Sequence, residues 1–205
     1  MPAAEATPGS RLRADAERNR TRVLDAAQLV FGRDGPSVGV DAIAAAAGVG
    51  VGTLYRRFPT KQDLLHAVIE RLGDQIVETV STTGEGKAPG PRFVVVFAAL
   101  ATHYAEARAL MDAIAADAAG KGELPAFRAR VERALGPIVV DAQEAGALRT
   151  DVAATDIIGL AGATARLAPP HITRDEALWL RARAVVLDGL RPGAATPLPA
   201  DDPGA

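Results

Sequence analysis

Residues Val40–Leu65 read VDAIAAAAGVGVGTLYRRFPTKQDLL. The Ala-rich run 40–47 predicts a short helix, Gly48-Val49-Gly50 a corner, and 51–58 a second short helix ending in Tyr55-Arg56-Arg57-Phe58. Pro59 closes that helix and Thr60 caps the next one, with Asp63 in the returning-carboxylate position of a capping box. Three apolar bands are expected to be buried: Ile43 with Ala46 and Ala47, then Val49, then Leu54 with Phe58. Thr53, Tyr55, Arg56, Arg57 and Lys61 are left pointing outward, an arrangement that calls for something anionic opposite. A short helix, a glycine corner and a second helix with a polar, cationic face make a helix-turn-helix, whose second helix enters the DNA major groove.

Upstream, a helix is predicted over 14–33, burying Val23, Ala27, Val30 and Phe31 at near-helical spacing and stopped by Gly35-Pro36. Downstream, the helix capped by Thr60 keeps Leu64, Leu65, Val68, Leu72, Ile76 and Val80 near one face and runs to about Thr82, long enough to link two regions. A Gly/Pro-rich loop over 83–90 marks a boundary, and Pro91 is placed to open the next helix. That helix, 92–107, is apolar on most sides and suits the centre of a second domain. Further helices are expected over 109–119, 125–145, 154–167 and 174–190, with Gly136-Pro137 bending or splitting the second of these and Thr173 with Glu176 forming a capping box for the last. No run alternates as a strand does, so the chain is predicted all-α.

The chain has 205 residues and no cysteine, enough to bury a core without disulfides or thiolate metal sites. Met1–Ala16 has no apolar stretch of the kind a signal peptide carries, and the longest apolar run, Phe93–Ala101, is about half of the roughly 20 residues a membrane helix requires. A cytoplasmic protein with no membrane partner is expected. Net charge is −2, but its distribution is uneven: Ser10–Lys61 holds nine cationic and five anionic residues, a net of +4, leaving −6 on the remainder. A basic front end on an acidic body fits a DNA reader with a separate second domain.

At the reader, Gly50 stands at the N-cap and Gly52 lets a duplex approach without a Cβ in the way. Thr53 offers a hydroxyl, Tyr55 a phenol for a phosphate, and Arg56 or Arg57 a fork for guanine or backbone. Lys61 adds charge where the helix dipole already favours phosphate. The glycines at 48, 50 and 52 follow a helix, not a strand, and miss the dinucleotide fingerprint; Gly86-Lys87 lacks the rest of a phosphate loop.

The run IAAAAGVGVGTLYRRFPTKQDLL, preceded by AQLVFGRDG at Ala27–Gly35, resembles the signature of the TetR family of bacterial transcriptional regulators. The resemblance covers about the first 80 residues, with the closing LDGLRP similar to the ends of such regulators. It implies DNA contacts from Val51, Gly52, Thr53, Tyr55 and Lys61, with Tyr55 and Lys61 as phosphate clamps and Thr21 or Arg22 anchoring the flank. Two departures are plain: Gly50 replaces the usual Ser/Thr before the reading helix, and Gly39-Val40 the usual hydroxyl residue before the preceding one. Each weakens capping by about 0.5–1 kcal/mol or less. The organisation implied is a disordered arm (1–13), a helix-turn-helix domain with linker helix (14–82), a helical ligand-binding and dimerisation domain (91–191) and a disordered tail (192–205).

His66, His103 and His171 fall in separate segments, and no nucleophile sits in a recognisable elbow, so neither catalysis nor a metal or cofactor is expected. A small-molecule effector is expected between helices, with His103, Tyr104 and Arg166 as polar contacts and Phe93, Phe97, Leu100, Met111, Phe127, Val131 and Ile157 around them. In the last two helices Ile157, Leu160, Ala161, Ala163 and Thr164, then Leu178, Trp179, Val185, Val186 and Leu190, predict a homodimer interface. The expected function is a ligand-responsive repressor on a palindromic double-stranded DNA operator; the competing reading is a helical small-molecule carrier or enzyme without DNA binding.

Overall fold

A computed structural model describes residues 8–116, 123–168, 176–193 and 196–199. Among them the backbone forms nine helices and no strand: α1 Pro8–Asp34, α2 Val40–Ala47, α3 Val51–Arg57, α4 Lys61–Thr82, α5 Pro89–Glu106, α6 Arg108–Ala116, α7 Glu123–Glu144, α8 Ala154–Ala165 and α9 Glu176–Gly189. The all-α expectation holds.

One hydrophobic core runs the length of the chain. In α1 the 3.6-residue stripe Val23, Ala27, Val30 and Phe31 is buried as expected, joined by Leu24 and Ala26. It packs on α2, α4 and α6. The α4 stripe is buried at Leu64, Val68, Leu72, Ile76 and Val80, while Leu65 stays at its edge. This helix packs on α1 at its front and on α5 and α7 behind, so it spans the reader and the body. In α5, Phe93, Val96, Phe97, Leu100 and Ala101 are buried, which makes this helix the centre of the body. Its Phe93 and Phe97 rings lie 6.4 Å apart in a tilted pair.

Several boundaries differ from expectation, each for a local reason. The 1–13 arm is shorter than predicted: residues 8–13 belong to α1, which Pro8 opens in the first turn, where proline fits, and which Ala, Arg, Leu and Glu carry onward. Residues 1–7 lie outside the described residues. Helix α5 opens at Pro89, not Pro91, because both prolines are accommodated in its first turn after the Ala88 N-cap. Pro137 does not split α7. A proline inside a helix costs about 3 kcal/mol, but Val131, Leu135, Ile138, Val139 and Ala142 are all buried around it and hold the helix through. Thr173, the expected cap of α9, lies outside the described residues.

The expected tail is anchored where it is described: Arg149 donates from Nη2 to the Thr196 carbonyl at 2.7 Å, and the Leu198 N–H donates to Asp151 Oδ2 at 3.1 Å. No helix among the described residues is long and apolar enough to cross a membrane.

Candidate nucleic-acid interface and body cavity

The corner is set by Gly48, whose φ of +63° is the left-handed region an L side chain avoids. Its N–H donates to Ala45 O at 3.1 Å and the Val49 N–H to Ala44 O at 3.0 Å, the Schellman pattern that satisfies the last carbonyls of α2. Helix α3 then starts at Gly50, and α2 at Gly39; neither cap makes a side-chain hydrogen bond. Leu54 and Phe58 point inward, Phe58 only 5% exposed, so the opposite side of α3 must face out. Burial in α2 falls on Ile43, Ala44 and Ala47 rather than on Ala46, which is exposed: the stripe follows positions i, i+1 and i+4.

On the outer side Tyr55 is 42% exposed, and Gly52, Arg56 and Arg57 are exposed. Val51, Thr53 and Lys61 are half-buried at its rim. Arg56 Nη2 donates to Thr53 Oγ1 at 3.1 Å, which presents the hydroxyl and guanidinium together. Around Gly52 a Cβ would meet nothing within 4 Å, leaving open approach. Below this face, Thr60 and Asp63 close the expected capping box: Asp63 N–H to Thr60 Oγ1 at 3.1 Å and Thr60 N–H to Asp63 Oδ2 at 2.9 Å. The box fixes the start of α4, and with it the position of Lys61.

A cavity of about 400 Å³ opens in the body between α5, α6, α7 and α8. Tyr104, Arg108 and Met111 form one wall, Phe127 and Arg128 of α7 another. Ile158, Gly159, Gly162 and Ala163 of α8 close it, with Arg166 and Asp112 at the rim. Burial pushes the Tyr104 phenol well above the ordinary tyrosine range, against the opposing effect of Arg128's charge. Arg166 Nη2 donates to Asp112 Oδ1 at 2.6 Å.

Comparison with known proteins places both regions. Residues 23–68 match the family described as bacterial regulatory proteins, tetR family, and residues 88–192 match the C-terminal domain of SbtR-like transcriptional regulators. A solved TetR transcription regulatory protein from Mycobacterium vanbaalenii is 36% identical, covering 88% of this chain and 99% of that one, with TM-score 0.64. The chain belongs to the TetR family.

A TetR transcriptional regulator from Streptomyces coelicolor is 29% identical over 85% of this chain and 99% of its own, with TM-score 0.68. An HTH-type transcriptional regulator of Staphylococcus aureus is 41% identical over 61 residues, 29% of this chain. That match spans a third of the staphylococcal protein's length. TetR-family proteins are DNA-binding transcriptional regulators rather than enzymes, so the carrier-or-enzyme reading is set aside.

Within this regulator the named positions divide. Val51, Gly52, Thr53, Tyr55, Arg56 and Lys61 sit together on α3 and the head of α4. Thr21 is exposed on α1, its carbonyl accepting from Arg71 Nη1 at 3.3 Å. Arg22 is exposed on α1, and its Nη2 donates to Ala47 O at 2.7 Å and to Gly48 O at 3.4 Å, so the guanidinium splints the end of α2. The carbonyls at a helix C-terminus attract a cation, which is what holds it there.

The three effector candidates do not converge. Tyr104 and Arg166 line the cavity, but His103, one residue before Tyr104, is turned about 100° around the helix and its Nε2 lies 2.9 Å from Thr79 Oγ1 of α4. His103 lines a second cleft of about 940 Å³ bounded by α1, α4, α5 and α6, which shares Arg108 and Asp112 with the cavity. Of the expected apolar lining, Met111 and Phe127 face the cavity, whereas Phe93, Phe97, Leu100, Val131 and Ile157 are buried in the core. Sequence reasoning missed Arg108, Arg128, Gly159 and Gly162. The spacing Tyr104, Arg108, Met111 carried the signal, one face running across the α5–α6 junction.

Proposed function

We propose that this TetR-family protein is a cytoplasmic, ligand-responsive repressor that binds a roughly palindromic operator as a homodimer. The contact between the cavity wall and the linker helix carries the reading. Phe127, which lines the cavity, stands with its Cδ2 3.5 Å from the point a Cβ on Gly73 of α4 would occupy. A molecule that displaces Phe127 therefore acts directly on the helix whose head carries Lys61. Movement of α4 changes the separation of the two reading helices, and two such helices must lie about 34–36 Å apart to address successive major grooves. Coupling of about 1–3 kcal/mol between the sites is enough for a 5–150-fold change in operator affinity.

The homodimer is supported by apolar side chains left outside. Leu178 and Val185, seven residues apart on α9, are 51% and 71% exposed, and Leu167, just beyond α8, is exposed with them, while Leu160 of α8 is half-buried. The expected interface is thereby narrowed: Ile157, Ala161, Thr164, Trp179 and Leu190 are buried within the protomer and serve its own core.

A mobility-shift assay of the full chain against DNA flanking its own gene, repeated across a metabolite panel, tests the reading. Binding to one flanking segment that a metabolite releases is the expected result. Failure to retain any flanking segment at low salt, or retention that no metabolite changes, overturns the repressor assignment.

A further inference from the structure

We infer that the body cavity is built for an amphipathic anion: a slim apolar chain or ring system lying along α8, with a carboxylate held by Arg128 beside Tyr104. This rests on the proposal above that the cavity is the effector site, and it names the class of effector.

The apolar part of the argument comes from α8. A Cβ at Gly159 would meet nothing within 4 Å, and one at Gly162 would meet Tyr104 Cδ2 only at 3.7 Å. The helix thus presents bare backbone to the cavity, with Ile158, Met111 and Phe127 supplying the apolar surface opposite and around it. The space left, about 400 Å³, is in the volume range of small-ligand sites.

The polar part comes from charge. Three guanidinium groups, Arg108, Arg128 and Arg166, line this space against a single described carboxylate, Asp112. Asp112 is already bonded to Arg166, and Arg108 Nη1 donates to the Ala168 carbonyl at 2.9 Å. Arg128 stands in neither contact. Arg128 and Tyr104 line the same cavity, and the guanidinium's charge acts on the buried phenol. A planar fork next to a neutral hydroxyl donor matches a carboxylate in both charge and geometry. A cationic ligand would meet three like charges there, and a neutral one would leave the fork without a charged partner.

Calorimetry on the full chain tests this with two matched pairs of probes, decanoate against decanol and 2-naphthoate against 2-naphthalenemethanol. At least one acid is expected to bind roughly tenfold or more tightly than its alcohol, the range of a charge-assisted hydrogen bond. Arg128→Gln is expected to erase that preference while alcohol binding persists, and Arg128→Lys to restore part of it. Gly159→Leu fills the space and is expected to abolish binding of acid and alcohol alike, with thermal melting confirming the fold. Equal binding of acid and alcohol, no binding of either acid, or a preference that survives Arg128→Gln overturns the anionic assignment. Acid binding that survives Gly159→Leu in a folded variant overturns the cavity as its site. An acid that binds as expected but leaves the DNA complex intact upholds the ligand class and overturns the effector reading alone.

Discussion

Arg22 of α1 donates from Nη2 to the Ala47 carbonyl at 2.7 Å, so the first helix braces the last turn of the second across 25 residues of sequence. The same nitrogen lies 2.7 Å from where a Cβ on Gly48 would stand, so the brace and the left-handed corner occupy one space. Arg22→Ala should lower thermal stability by about 1 kcal/mol, the worth of a partly exposed hydrogen bond. Operator affinity should fall with it, because the corner sets the angle of α3. The salt dependence of DNA binding should not change; a shallower slope would show that Arg22 contacts phosphate after all.

Tyr55 and Lys61 should behave in the opposite way. Tyr55→Phe removes one hydrogen bond to an anionic phosphate and should weaken binding to every sequence by about 10-fold or more. Lys61→Ala should weaken binding uniformly and reduce the magnitude of the salt slope by about 1. Both residues lie at the surface, so melting temperatures should stay where they are. Fluorescence anisotropy over a salt series measures affinity and slope, and thermal melting checks the stability.

Arg130 of α7 ties the linker helix to the body. Its Nη1 donates to Glu70 Oε2 at 2.8 Å, and its Nη2 pairs with Asp74 of α4. Gly73 between them lets the guanidinium lie flat, since a Cβ there would stand 3.1 Å from Nη1. Removing this strap with Arg130→Ala should ease movement of α4 and reduce the effector concentration for half-release by about 2- to 30-fold, the span of 0.5–2 kcal/mol of coupling. Gly73→Ala should act the same way, more weakly, by crowding the guanidinium. Release curves that overlay the wild type would show that the strap does not restrain the switch.

The reader was legible in the chain because its constraints are local. Gly48 marks a left-handed corner, Thr60 with Asp63 a helix start, and Leu54 with Phe58 one buried stripe; each is settled within a turn of the backbone. The body was legible only as helices. Whether His103 or Tyr104 faces a cavity depends on which neighbour packs on α5, and Thr79 of α4 took His103. The brace made by Arg22 was hidden for the same reason: its partner is set by tertiary contact, and a cation at a helix–helix crossing serves carbonyls as readily as phosphates. The missed cavity wall of α8 is made of absences, glycines whose missing side chains leave the space.

Tyr104 offers a readout of that cavity. Burial raises its ionisation above the ordinary tyrosine value near 10. A group raised in the fold contributes stability that is present below the unfolded value and lost as pH rises through the folded one. An alkaline absorbance titration should therefore show a late tyrosinate step coinciding with unfolding, absent in Tyr104→Phe. A Tyr104 step inside the ordinary range would mean that water reaches the phenol freely.

Asp151 anchors the end of the proposed dimer helix. Arg149 donates from Nε to its Oδ1 at 2.5 Å and from Nη2 to its Oδ2 at 2.7 Å, while the same guanidinium reaches Gly189 O at 3.2 Å. The Arg149 N–H also donates to Leu190 O at 2.9 Å. The bond from Arg149, and then the one from the Leu198 N–H, hold the Asp151 carboxyl below the usual aspartate range. A depressed carboxyl contributes stability that is present above the unfolded value near 3.9 and lost as pH falls through the folded value. Protonation therefore loosens the clasp that joins the α7–α8 loop to the end of α9 and the chain beyond it. Asp151→Asn should loosen it at neutral pH, seen as faster hydrogen exchange at Leu190 and Leu198, and should flatten the acid limb of dimer stability in sedimentation. If the variant exchanges no faster than wild type at those two amides, the clasp does not hold α9 and its face is positioned by core packing alone.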